Sequence, residues 1–261
     1  MERIAVGGVE LQAELSGPEG APYLTFSHSL GADLTMWDPQ VAAFADSYRI
    51  LRYDTRGHGR SSVPSAPYSF ADLTGDVVGL LDTFGIERTH FAGLSLGGMT
   101  ALGLALAHAD RLESITVANA VASMPAEVLP MWDERVSVAR DQGMQPLVES
   151  TIERWFTEPM RERGEPVLDR VRALIAKTPV EGYAGCIAAI KAIAYEPHLG
   201  EIAVPALFIA GEADTGTPPG PMHAMHECVP GSRYVELKTA HLSNLEQPQA
   251  FSEALREFLP V

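Results

Sequence analysis

Three residues of this chain have the types and the order to do chemistry together: Ser95, Asp214 and His241. Ser95 sits in "GLSLG", residues 93–97, a G-x-S-x-G pattern extended by Gly98. The preceding "THFAG" reads as a strand and the following "GGMTALGLALA" as a buried helix, which puts the serine on a strand-to-helix turn. Small neighbours let strand and helix close on that turn. The hydroxyl then projects at a helix N-terminus, where free N–H groups stabilise developing negative charge. A serine hydroxyl is a weak nucleophile until a base removes its proton, so a base and its orienting acid are the next requirements.

Five histidines follow Ser95: His108, His198, His223, His226 and His241. His108 belongs to the end of the seam helix, His198 to a loop, and His223 with His226 to a charged helix face without a third ligand. His241 directly follows "RYVELKTA" and opens "HLSNLEQP", where a loop carries a side chain over strand ends, and it is the expected base. The acid should stand at the end of the preceding strand. "ALFIAGEAD" finishes at Asp214 and "TGTPP" breaks the chain after it, so Asp214 is expected to hold the His241 tautomer. Glu212 should face away by strand alternation, and Asp54 anchors its own loop. The expected catalytic set is Ser95, Asp214 and His241. An oxyanion hole should take one N–H from Leu96 and another from Leu30 in "HSLGADL", with His28 shaping that loop. "RGHGRSS", residues 56–62, lacks the third glycine of a dinucleotide loop and the Lys-Ser/Thr of a phosphate loop. Neither a cofactor nor a metal is expected.

The elements that must position these residues alternate strand and helix. "RIAVGG" and "VELQAEL" form an expected hairpin, followed by strands at "YLTFSHS", "YRILRYD", "THFAG" and "ESITVANA". Ser69 is the expected N-cap and Gly85 the stop of the helix in "SFADLTGDVVGLLDTFG". Such alternation predicts an α/β fold with a mainly parallel sheet covered on both faces. Between residues 121 and 198 the pattern is helical without a strand, an expected cap or lid inserted into a core made of residues 1–120 and 199–261.

The 261 residues carry a formal charge of -15, which disfavours nucleic acid and anionic membrane surfaces as partners. No apolar run approaches the roughly 20 residues that span a bilayer. Two cysteines, Cys186 and Cys228, form no metal or disulfide pattern. A cytoplasmic protein acting on a small molecule is expected; the sequence leaves monomer and oligomer open.

The blocks "FSHSLGADLTMWDPQ", "RILRYDTRGHGRSS", "HFAGLSLGGMT", "RWFTEP", "TPVEGYAGCIAAI", "FIAGEADTGTPP" and "AHLSNLEQPQAF" together resemble the α/β-hydrolase superfamily, and within it the 3-oxoadipate enol-lactone hydrolases of the β-ketoadipate pathway. The resemblance implies an eight-stranded sheet, a helical cap, and serine-dependent hydrolysis of a small enol-lactone without metal or cofactor. The chain departs from the pattern at His28, at Leu96 and in "KAIAYEPHLGEI". A substrate with a free carboxylate would need a local cation, for which the cap offers Arg135, Arg140, Arg154 and Lys191, with Trp132 and Trp155 as expected walls. A general carboxylesterase or a cofactor-free perhydrolase resembling haloperoxidases is the alternative on the same three residues. A non-catalytic small-molecule receptor is the alternative of a different class.

Overall fold

The computed structural model describes residues 1–260. Eight strands run β1 (Glu2–Val6), β2 (Val9–Ser16), β3 (Tyr23–Ser27), β4 (Arg49–Tyr53), β5 (Thr89–Leu94), β6 (Leu112–Ala118), β7 (Ala206–Gly211) and β8 (Arg233–Leu237). They form one sheet in the order β1-β2-β4-β3-β5-β6-β7-β8. β2 is antiparallel to both neighbours and every later pairing is parallel. Every residue of β5 and β7 is buried, as expected of parallel strands covered on both faces.

The helices are α1 (Asp38–Phe44), α2 (Phe70–Thr83), α3 (Leu96–Ala107), α4 (Leu129–Gln142), α5 (Val148–Trp155), α6 (Glu158–Arg163), α7 (Pro166–Lys177), α8 (Val180–Lys191), α9 (Pro219–Cys228), α10 (Ser243–Glu246) and α11 (Pro248–Phe258). α3 packs on β3, β5 and β6 beside α2, while α1 and α11 pack on each other. Trp37 before α1 stacks on Phe26 of β3 and tilts against Phe251 of α11, which ties that layer to the sheet. Ser69 caps α2 through a reciprocal pair with Asp72, a device that stabilises a helix end by about 1 kcal/mol.

α4 to α8 lie between β6 and β7, and a bridge from Ser123 to Ala194 joins the two ends of this insertion. α5 and α7 bury one stripe each, whereas α8 is buried nearly all round. In α5 the stripe is Val148, Thr151, Ile152 and Trp155, the spacing of a single helical face.

One expectation needs correcting. β7 stops at Gly211, so Asp214 stands in a loop beyond the strand and not at its last ladder position; β8 stops at Leu237, and His241 lies in the loop after it, as expected. Pairing loses its regular register there: Glu212 N–H donates to the Leu237 carbonyl at 2.8 Å and Ala213 N–H to that of Thr239 at 2.9 Å. Asp214 N–H then turns back onto the Gly211 carbonyl at 3.1 Å, which closes the turn and ends the strand.

Candidate active site

Ser95 occupies the turn between β5 and α3 with φ 57° and ψ -114°, a conformation that costs a residue with a side chain about 1–3 kcal/mol. The surroundings hold it there. Its N–H donates to the Ala118 carbonyl of β6 at 2.8 Å, and its carbonyl accepts the Met99 N–H at 2.9 Å. The three glycines act through size. A Cβ on Gly93 would strike the Gly97 backbone, one on Gly97 the Ser27 carbonyl, and one on Gly98 the Ala120 side chain. Among the described residues Ser95 Oγ has no hydrogen-bond partner, and such contacts commonly tighten only when substrate binds.

Asp214 and His241 meet at 2.7 Å, Oδ2 to Nδ1. The same carboxylate oxygen accepts Thr217 Oγ1–H at 2.6 Å and Asn119 Nδ2–H at 2.9 Å. Oδ1 accepts the Gly216 and Thr217 N–H groups at 2.8 and 3.0 Å. Burial alone would raise Asp214, but the His241 charge and the hydrogen bonds from His241 and Thr217 outweigh it and hold the carboxyl at about 2. The acid is therefore ionised at neutral pH, and its bond orients the His241 ring with Nδ1 toward the carboxylate. Trp155 lies alongside the imidazole, with ring centroids 6.2 Å apart and planes at 26°.

Asn119 and Thr217 were not anticipated. Asn119 follows β6 at φ 46°, bonds Asp214, and accepts Ser243 Oγ–H at 2.6 Å. It ties the acid to the loop after His241. An Asn at the end of "ESITVANA" carries no signature that separates it from a turn residue, and Thr217 reads as part of a chain break.

Leu96 is the first residue of α3, so its N–H has no partner within the helix. The Leu30 N–H likewise has none among the described residues, although its neighbours are engaged. His28 is fully buried in this loop: its Nδ1–H donates to the Ser29 carbonyl at 2.8 Å, and Nε2 accepts the Thr55 N–H at 2.9 Å. Asp54 reaches beyond its own loop, accepting the Leu34 N–H at 2.9 Å as well as that of Arg60 at 2.8 Å.

Ser95, Asp214 and His241 line one cavity of about 860 Å³, together with Leu30 and helices of the insertion. Trp132, Arg135 and Trp155 all line it, and so does Arg154. Arg135 is buried and held by two hydroxyls, Nε to Tyr183 at 2.9 Å and Nη2 to Thr151 at 2.7 Å. Arg154 Nε and Trp132 Nε1 are buried donors without an acceptor. Burial, then the nearby Arg135, lowers the Arg154 pKa from its ordinary value. The other two cations are spoken for: Arg140 faces Glu181 at 3.6 Å and Lys191 pairs with Asp133.

The remaining histidines stay outside the cavity. His198 meets Glu201 at 2.8 Å, His226 meets Ser232 at 2.7 Å, and His223 lies 3.7 Å from Glu227. Glu212 is exposed. Among the described residues no cluster of His, Cys, Asp or Glu is built to hold a metal, both cysteines are free thiols, and no helix is long and apolar enough to cross a membrane.

Residues 22–248 match the family model described as the alpha/beta hydrolase fold. The chain is 38% identical over 252 residues to 3-oxoadipate enol-lactonase 1 of Acinetobacter baylyi, covering 97% of this chain and 94% of that protein. The crystal structure of the enol-lactonase from Burkholderia xenovorans LB400 superposes with a TM-score of 0.95 at 43% identity, over 98% of this chain and 99% of that one. A thermophilic esterase from Thermogutta terrifontis superposes with a TM-score of 0.91 at 27% identity, over 98% and 97% of the two chains.

Proposed function

The chain belongs to the alpha/beta hydrolase family, and from that premise we propose that it opens 3-oxoadipate enol-lactone, a small enol-lactone bearing a free carboxylate, through an acyl-enzyme on Ser95. The observation that carries the choice of an anionic lactone is that Arg154 and Arg135 line the cavity that also holds Ser95 and His241, and that Arg154 has no carboxylate partner among the described residues. A carboxylate that meets an unpaired guanidinium gains a charge-assisted contact, stronger than a neutral hydrogen bond. Arg135, already fastened by Tyr183 and Thr151, adds positive potential beside it. Trp155 walls the cavity next to His241.

In this mechanism His241 Nε2 takes the Ser95 proton as Oγ attacks the lactone carbonyl. The N–H groups of Leu30 and Leu96 bind the oxyanion of the tetrahedral intermediate. The ring C–O bond breaks, and the departing enol oxygen receives the proton from His241, leaving an ester on Ser95. His241 next removes a proton from water, whose oxygen attacks that ester and releases the acid and free serine. Residues 121–198 act as a cap over a core of residues 1–120 and 199–261, supplying the substrate contacts. With two unpaired thiols the chain suits a reducing compartment, and we place it in the cytoplasm.

Turnover of the enol-lactone by wild-type protein and Ser95→Ala tests this directly. The expected loss exceeds about 10⁴-fold, with fluorophosphonate labelling of Ser95 in the wild type alone. Unchanged turnover in Ser95→Ala would end the acyl-enzyme reading. Hydrolysis of neutral aryl esters with no turnover of the enol-lactone would favour the esterase alternative.

A further inference from the structure

"RGHGRSS" holds no phosphate chemistry, yet its histidine is fully buried beside the loop that carries Leu30. We propose that His58 is a positioning residue for the oxyanion hole: by accepting the Gly31 N–H it fixes the peptide next to Leu30, so that the Leu30 N–H stays free for the carbonyl attacked by Ser95. The inference rests on the assignment of Leu30 and Leu96 as oxyanion donors made above.

The donors of this loop are accounted for one by one. Ser29 N–H points to Met36 Sδ at 3.3 Å, Gly31 N–H to His58 Nε2 at 3.0 Å, and Ala32 N–H to the Ser29 carbonyl at 3.1 Å. Leu30 alone is spared among the described residues 29–32. Gly31 has φ 77°, a backbone state natural to glycine, and the His58 bond is what engages its N–H there.

The imidazole is itself gripped from three sides. Its Nδ1–H faces the Arg56 carbonyl at 3.4 Å, the Cys186 thiol of α8 stands 4.0 Å from the same nitrogen, and the His28 ring packs at 5.3 Å between centroids. Gly57 and Gly182 touch backbone to backbone, leaving no room for a Cβ on either, so α8 of the insertion sets the height of the loop. Burial, reinforced by His28, pushes His58 down to about 3 and keeps the Nε2 lone pair available throughout the neutral range. The other tethers act further along: His28 on Thr55, and Asp54 on Leu34. They survive when His58 is replaced, so the loss should be one of aim and not of fold.

The test compares His58→Leu, which removes the acceptor, with His58→Gln, whose amide oxygen restores one. An aryl ester serves as substrate, and phenylboronic acid as a probe whose adduct with Ser95 places an oxygen in the oxyanion hole. For His58→Leu, kcat should fall about 10- to 100-fold with KM within about two-fold, and phenylboronate affinity should fall by a similar factor. His58→Gln should recover most of both. If Leu and Gln variants lose kcat equally, or kcat falls while boronate binding is untouched, the positioning role is wrong. Where the Leu variant does not fold, His58→Asn, whose shorter side chain stops short of Gly31, takes its place with the same expected contrast against Gln. Ser95→Ala separates the two ideas: retained turnover there overturns the acyl-enzyme, whatever His58 does.

Discussion

The Asp214 carboxylate beyond β7 and two donors on helices of the insertion are answered in opposite ways. Around Asp214 every oxygen is answered, by side chains of Asn119, Thr217 and His241 and by two backbone N–H groups. In the insertion, Arg154 Nε and Trp132 Nε1, on residues that line the cavity, are buried without an acceptor among the described residues. A saturated network resists rearrangement, because moving any member strands another. Under the proposed function, replacing Asp214 should matter for any ester, and replacing Arg154 for an ester that bears a carboxylate.

Three measurements would break or sharpen that contrast. The largest effect belongs to the saturated side. Asp214→Asn leaves the shape of the network but loses the charge that selects the His241 tautomer, and kcat should fall about 10⁴-fold for anionic and neutral substrates alike. A loss confined to one substrate class would erase the distinction between the two regions.

The next effect belongs to the insertion. Arg154→Met should lower kcat/KM for the carboxylate-bearing lactone about 100-fold, as expected for a charge-assisted contact, while an uncharged aryl ester changes less than about threefold. Arg140→Ala, at an exposed pair with Glu181, should change neither. Equal losses on both substrates from Arg154→Met would make that arginine structural.

The smallest effect is on stability. His58 is held near 3 in the folded chain, against an ordinary value of 6.5, by burial and then by His28. The unfolded chain therefore binds the extra proton as pH drops below about 6.5, and the folded chain does not until about 3. The contribution is complete above 6.5 and is lost on the way down, on the order of 2 kcal/mol by pH 5. Chemical denaturation of wild type and His58→Gln between pH 7 and 5 should show a shallower decline in the variant. Parallel declines would mean that His58 is protonated in the folded chain.

Much of this was legible in order and spacing. The alternation of elements, the turn at Ser95, the Ser69 cap and the choice of Asp214 and His241 follow from local patterns that need no knowledge of the third dimension. Strand ends were less so, because the pairing beyond Gly211 and Leu237 depends on two loops meeting each other. Asn119 was illegible for a related reason. It lies 95 residues from the carboxylate it bonds, and nothing near it in sequence announces the partner. Arg135, Arg140, Arg154 and Lys191 looked alike in the sequence. Only packing separates Arg154, with its unpaired nitrogen, from Arg140 and Lys191, each given a carboxylate by a neighbouring helix.

The backbone contact between Gly57 and Gly182 bears on how the specificity of this scaffold can be changed. The bridge from Ser123 to Ala194 offers a pair of splice points for importing another helical insertion. A graft cut there would remove the glycine against which Gly57 rests and the thiol beside His58. A donor segment that brings a larger residue to position 182 would lift the histidine loop as it docked. Exchange of the insertion is therefore compatible with an intact catalytic floor only when the incoming helix carries a glycine at that height.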